Sequence, residues 1–160
     1  MERYLTPCII QDLRKKMVFI GGPRQVGKTT LGRALIATFP DLVYLNWDGD
    51  EHKRIVKKQQ WLNEASLVIF DELHKYARWK QWIKGVYDLK PAYQQYLVTG
   101  SARLDVYKRG GDSLLGRYHY WRLHPFTLDE LPINIREHVR NNSYNLKLRR
   151  RNLHGINRVI

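Results

Sequence analysis

Apolar positions run through this chain in two rhythms that alternate. From Tyr4 to Lys15 they recur at Leu5, Ile9, Ile10 and Leu13, the spacing of one helical face. Met17-Val18-Phe19-Ile20 is instead a continuous apolar run that stops at Gly21-Gly22-Pro23, a buried strand entering a glycine loop. Thr29 to Phe39 returns to helical spacing, with Leu31, Ala34, Leu35 and Thr38 on one side and Pro40 just past the end. Leu42 to Trp47 reads as a second strand, and the polar stretch from Asp48 to Asn63 as a helix. Leu67-Val68-Ile69-Phe70 is a third strand, ended by Asp71-Glu72.

Between Tyr76 and Leu89 the large apolar residues fall at 76, 79, 82, 83, 86 and 87, a helix with an aromatic stripe. On that stripe Trp79 and Trp82 are expected in the core. Tyr96 to Thr99 is a fourth strand closed by Gly100-Ser101, and residues 102–116 read as a short helix and a glycine-containing loop. Tyr118 to Leu123 is a fifth strand before Pro125. Strands alternating with helices predict a parallel sheet covered on both faces.

Composition narrows the class. The 160 residues suit one domain with at most an appendage, and 43% apolar residues can fill a core. The lone Cys8 excludes an intrachain disulfide and a cysteine zinc site, and fits a reducing, cytoplasmic setting. The charged N-terminus lacks a signal-peptide core, and no apolar run approaches the ~20 residues of a membrane span.

Lys and Arg number 28 against 15 Asp and Glu, a net +13 that favours a polyanionic partner. Residues 133–160 hold seven bases against Glu137 alone, together with six asparagines and scattered apolar positions. A boundary is therefore placed near Pro132, between a folded domain at 1–132 and a weakly structured basic tail at 133–160.

Candidate chemistry begins at Gly22-Pro23-Arg24-Gln25-Val26-Gly27-Lys28-Thr29, which matches G-x-x-x-x-G-K-[ST] at every fixed position. A phosphate chain needs several backbone N–H groups converging on it, and glycines permit both the turn and the close approach. The helix that follows presents its positive N-terminal end to the anion. Lys28 is expected on the β- and γ-phosphates and the Thr29 hydroxyl on Mg²⁺, with Thr30 completing the nucleotide-contacting set. The motif follows a predicted strand and opens a predicted helix, which is the context it requires.

Asp71 and Glu72 end a buried strand at the carboxyl edge of the sheet, where ligands bind in open α/β folds. Asp71 is expected to hold the Mg²⁺ and Glu72 to polarise a water for attack on the γ-phosphate. No N-K-x-D or T-K-x-D occurs to read a guanine base. His74 has no second histidine at ligand spacing, so a hydrogen-bonding role is expected of it.

These residues, with the Trp79–Leu89 helix, Thr99-Gly100-Ser101, SLLGR at 113–117 and HPFTLDEL at 124–131, resemble the N-terminal AAA+-type ATPase domain of a large prokaryotic family. The resemblance covers residues 1–132. It implies a three-layer αβα P-loop fold with a five-stranded parallel sheet of order 5-1-4-3-2. It also implies a polar sensor at the end of the fourth strand, Thr99 or Ser101, where the alternative is that both hydroxyls only cap the turn. Arg117 stands where an arginine finger could act from a neighbouring subunit of a homo-oligomer, or equally is a surface or packing arginine. A second, partner-binding or nuclease-like domain normally follows in that family, and residues 133–160 do not supply one. The expected function is Mg²⁺-dependent ATP hydrolysis. The alternatives are a nucleotide-binding interaction module with little turnover, and an ATPase that holds nucleic acid through Lys147–Arg151.

Overall fold

The computed structural model describes residues 3–101, 114–131, 133–138 and 140. The chain divides into two compact units, Glu2–Pro125 and a smaller one from Phe126 onward. The first is built as α1 (Thr6–Leu13), β1 (Met17–Gly21), α2 (Lys28–Ala34), β2 (Leu42–Asn46), α3 (Asp50–Lys58), β3 (Leu67–Asp71), α4 (Trp79–Leu89), β4 (Gln95–Thr99) and β5 (Tyr118–Arg122).

All five strands are parallel and lie in the order β2-β3-β4-β1-β5, which is the expected 5-1-4-3-2 read from the other edge. Side chains alternate between the two faces of a strand, so an unbroken apolar run supplies both faces at once. Phe19, Val68, Phe70, Tyr96 and Val98 point to one side and pack with Val56 of α3 and Trp79, Ile83 and Val86 of α4. Val18, Ile20, Leu67, Ile69 and Leu97 point to the other and pack with Ile9 and Leu13 of α1 and Leu31 of α2. The sheet is thus the middle of three layers. Every residue of β1 and β3 is buried, whereas β2 and β5, at the edges, are only partly covered.

All four predicted helices are shorter than their sequence patterns, and two of them end several residues early. The segment after the glycine loop is α-helical only to Ala34 and tightens into a 3₁₀ turn over Leu35–Ala37. The polar helix stops at Lys58, where Gln59 turns left-handed (φ 53°) and the Gln60 N–H donates to the Ile55 carbonyl at 3.0 Å. The stop brings Trp61 onto the sheet, edge-on to Phe70, Trp82 and Tyr96. Continuing the helix would forfeit that aromatic burial. Trp79 is buried and Trp82 packs against the same cluster from α4, as the stripe predicts.

In the smaller unit, Thr127 heads a 3₁₀ turn over Leu128–Glu130, and its N–H donates to Glu130 Oε2 at 2.9 Å. Residues 133–138 are helical. Most of the expected 102–116 loop, and the basic run 147–151, lie outside the described residues. Among the described residues no helix is long and apolar enough to cross a membrane.

Tyr96 offers a check on this core. Its side chain is 2% exposed, and its hydroxyl donates to Gln94 Oε1 at 2.8 Å. Burial pushes the phenol up to about 12, with a smaller opposing contribution from Trp61. The protonated form is therefore the one the fold favours, and its stabilisation is complete below pH 10 and lost as pH rises toward 12. Urea unfolding of Tyr96→Phe is expected to show a loss of about 1 kcal/mol at pH 8 and a shallower decline than wild type between pH 10 and 12. Parallel declines would show that Tyr96 ionises no differently once folded.

Candidate functional site

The loop between β1 and α2 is shaped by two glycines. Gly22 has φ +153°, and a Cβ there would stand 2.3 Å from the Leu123 carbonyl oxygen. Gly27 adopts φ 89° at the head of α2. Neither backbone suits a residue with a side chain. The turn they permit delivers Lys28 to a buried position, 7% exposed, where its ammonium donates to the carbonyls of Gly22 (3.1 Å) and Pro23 (2.7 Å). Burial lowers the Lys28 pKa, and the negative charges of Glu72 and Asp71 oppose that shift.

Strand register sets the opposite wall. Asp71 stands beside Asn46 of β2 and Thr99 of β4, all at the carboxyl edge. Its carboxylate is 4% exposed and accepts three hydroxyl donors. Thr29 Oγ1 donates to Oδ2 at 2.8 Å, Tyr44 also donates to Oδ2, and Thr99 donates to Oδ1. A carboxylate in this position needs such partners, because burial of an unsolvated charge is costly. The Tyr44 phenol is pushed up to about 12, first by burial and then by its bond to Asp71.

Glu72 turns left-handed (φ 57°), and its N–H donates to the Thr99 carbonyl at 3.0 Å. Its carboxylate lies 3.3 Å from the Lys75 ammonium and 3.8 Å from His74 Nε2. Lys75 also pairs with Asp48 at 2.6 Å, a contact that raises its pKa. His74 Nε2 and Ser101 Oγ are 3.2 Å apart. Thr99 thus meets the aspartate directly, while Ser101 reaches the glutamate side through His74.

A cleft of about 610 Å³ opens between these walls. Arg24, Gln25, Gly27, Lys28, Thr29 and Thr30 line its loop side, and Asp48, Asp71, Glu72 and Lys75 stand among the residues opposite. Gly22, Pro23 and Val26 do not line it; they form the turn behind. The volume falls in the range of small-ligand pockets. Thr29 and Asp71 present hard oxygen donors within hydrogen-bond distance of each other, a pair suited to Mg²⁺. Among the described residues no group of three or more His, Cys, Asp or Glu could hold a metal. Mg²⁺ carried on phosphate oxygens needs only one or two protein ligands, so the pair suffices.

Thr99 and Ser101 do not line the cleft, and neither does Arg117. It precedes β5, and its carbonyl accepts from the Met17 N–H at the amino end of β1, whereas the loop leaves the carboxyl end. Its guanidinium forks onto Asp88 of α4 at 2.7 and 3.1 Å. Two residues escaped the sequence reading. Tyr44 looked like an ordinary apolar strand position. Arg3, just ahead of the first helix, was not singled out, yet it is 5% exposed and donates to the carbonyls of Val26 (2.7 Å) and His124 (2.6 Å).

A family model described as an AAA domain matches residues 14–132. No curated protein matches the chain. Among solved structures 68 chains match, including Caenorhabditis elegans PCH-2 at 15% identity and a TM-score of 0.46. That alignment covers 78% of this chain, which spans 40% of the PCH-2 chain.

The position of Arg117 makes a direct prediction. Arg117→Ala is expected to leave the nucleotide affinity of the dilute, monomeric chain within about twofold of wild type, as read by titration with a fluorescent nucleotide. A tenfold loss would place the guanidinium in the cleft after all.

Proposed function

Since this chain belongs to the AAA domain family, we propose that it binds ATP with Mg²⁺ on the Gly22–Thr29 loop and hydrolyses it. The observation that carries the reading is the meeting of Thr29 and Asp71 at 2.8 Å, beside the buried Lys28 and across from Glu72. In this reading the backbone N–H groups of the loop hold the phosphates and Lys28 turns its ammonium to the β- and γ-oxygens. Thr29 and Asp71 hold Mg²⁺, which when bound neutralises charge on those oxygens.

Glu72 accepts a proton from the attacking water as its oxygen bonds to the γ-phosphorus. The bond from that phosphorus to the β–γ bridging oxygen breaks, giving ADP and inorganic phosphate. The sensor role is proposed for Thr99, held on Asp71, or for Ser101, beside His74. An arginine-finger role for Arg117 is proposed only toward a neighbouring copy, because its own loop lies at the other edge of the sheet.

The decisive experiment pairs binding with turnover. Lys28→Ala is expected to weaken ATP binding by about tenfold or more, the loss of a charge-assisted contact to phosphate. Glu72→Gln is expected to bind ATP as wild type does while turnover falls on the order of 100-fold, the usual size of a general-base contribution. Chelation of Mg²⁺ should abolish turnover. If wild type binds ATP but releases no phosphate at any protein concentration, the domain is a nucleotide-dependent interaction module instead.

A further inference from the structure

The loop is held from behind as well as shaped by its glycines, and Arg3 is at the centre of that support. Its side chain is almost fully buried, and its guanidinium joins two carbonyls from distant parts of the chain, Val26 in the loop and His124 just beyond β5. The segment it reaches already touches the start of the loop. The Leu123 N–H donates to the Gly21 carbonyl at 2.8 Å, and the Leu123 carbonyl leaves no room for a Cβ on Gly22. Arg3 extends this backing to the far end of the loop.

The orientation of one peptide follows. In a trans peptide the C=O and N–H point in opposite directions. The Val26 carbonyl is turned to Arg3, so the N–H of Gly27 is turned away from it. A Cβ on Gly27 would also face Arg3, 3.6 Å from Nη1, and Gly27 is one of the residues that line the cleft. The guanidinium therefore aims the Gly27 N–H into the cleft. It also stands as a fixed, desolvated cation directly behind the loop, where a flexible lysine lacks the planar fork that spans two acceptors at set angles.

We infer that Arg3 is a positioning residue for phosphate binding: it fixes the Val26–Gly27 peptide so that its N–H serves the phosphate chain, without itself touching the ligand. This inference rests on the reading of the loop as a phosphate cradle. It gives the N-terminal residue ahead of α1 a direct part in nucleotide affinity. It also couples the loop to the strand end at His124, so that a disturbance of that strand end reaches the phosphates through Arg3.

The test compares Arg3→Ala, Arg3→Gln and Arg3→Lys in the full chain, each first shown to fold by circular dichroism and thermal melting. Mg²⁺-ATP and pyrophosphate are the probes, and the Gly27 amide resonance is recorded in the protein without either. Arg3→Ala and Arg3→Gln are expected to raise Kd for both probes about tenfold or more. KM should rise with it while kcat changes less, and the Gly27 resonance should move. Added guanidinium should restore part of the affinity of Arg3→Ala, and Arg3→Lys should lie between.

Folded Ala and Gln variants with wild-type Kd and an unmoved Gly27 resonance would overturn the inference. A lower melting temperature with unchanged Kd would do the same, since it marks a role in stability alone. If neither of those variants folds, Arg3→Lys decides: wild-type affinity in that folded variant also overturns the fork. Failure of the wild type to bind either probe counts instead against the ATPase reading. In that case a Gly27 resonance that moves only in the variants still supports Arg3 as the anchor of the peptide.

Discussion

A single buried carboxylate, Asp71, sets the terms on which the site is assembled. Withdrawn from water at the end of β3, it must be satisfied by the protein, and it draws donors from three separate elements: Thr29 of α2, Tyr44 of β2 and Thr99 of β4. Each donor can arrive only if its own element is in register. The parallel pairing of β2, β3 and β4 supplies the two strand donors, and the glycine turn after β1 supplies the third. Removal of any one leaves the other two holding a charge that is less well paired, so the contacts are coupled and not additive.

The sheet makes that arrangement affordable. Because both faces of β1 and β3 are covered, their strand ends are the places where polar groups can gather without interrupting apolar packing. Lys28, Glu72 and Thr99 fall at the carboxyl edge, where the loops are free to differ. Arg117 and its partner Asp88 fall at the amino edge, among contacts that brace α4 against the start of β5. The separation follows from chain direction alone. Parallel strands put every βα turn on one side, and a residue before a strand cannot reach the ligands of the residues after it.

Much of this was legible in the sequence because the signals were local. The apolar runs 17–20, 67–70 and 96–99 and the fixed spacing of the glycine loop each state their structure within a few residues. What was missed depends on distance. The helix after Asp48 ends early because Trp61 is wanted on the sheet by Phe70 and Tyr96, residues the local pattern does not mention. Tyr44 follows the alternation of an edge strand, and nothing near it reveals that its hydroxyl meets a carboxylate 27 residues later. Arg3 is harder still, since its partners lie 23 and 121 residues away and are backbone carbonyls, which carry no sequence signature.

Three residues with side chains adopt left-handed backbone in the described chain: Gln25, Gln59 and Glu72. The conformation costs each of them roughly 1 kcal/mol or more relative to glycine, yet Gln59 and Glu72 differ in what relief would mean. Gln59 closes a helix away from the cleft, and glycine there would stabilise the protein without touching its chemistry. At Glu72 the same exchange would relax the backbone and delete a carboxylate that lines the cleft. The domain therefore carries one strained position open to thermostabilisation and another closed to it. A search for hardier variants by stability alone would converge on both, and would return some proteins that are firmer and inert.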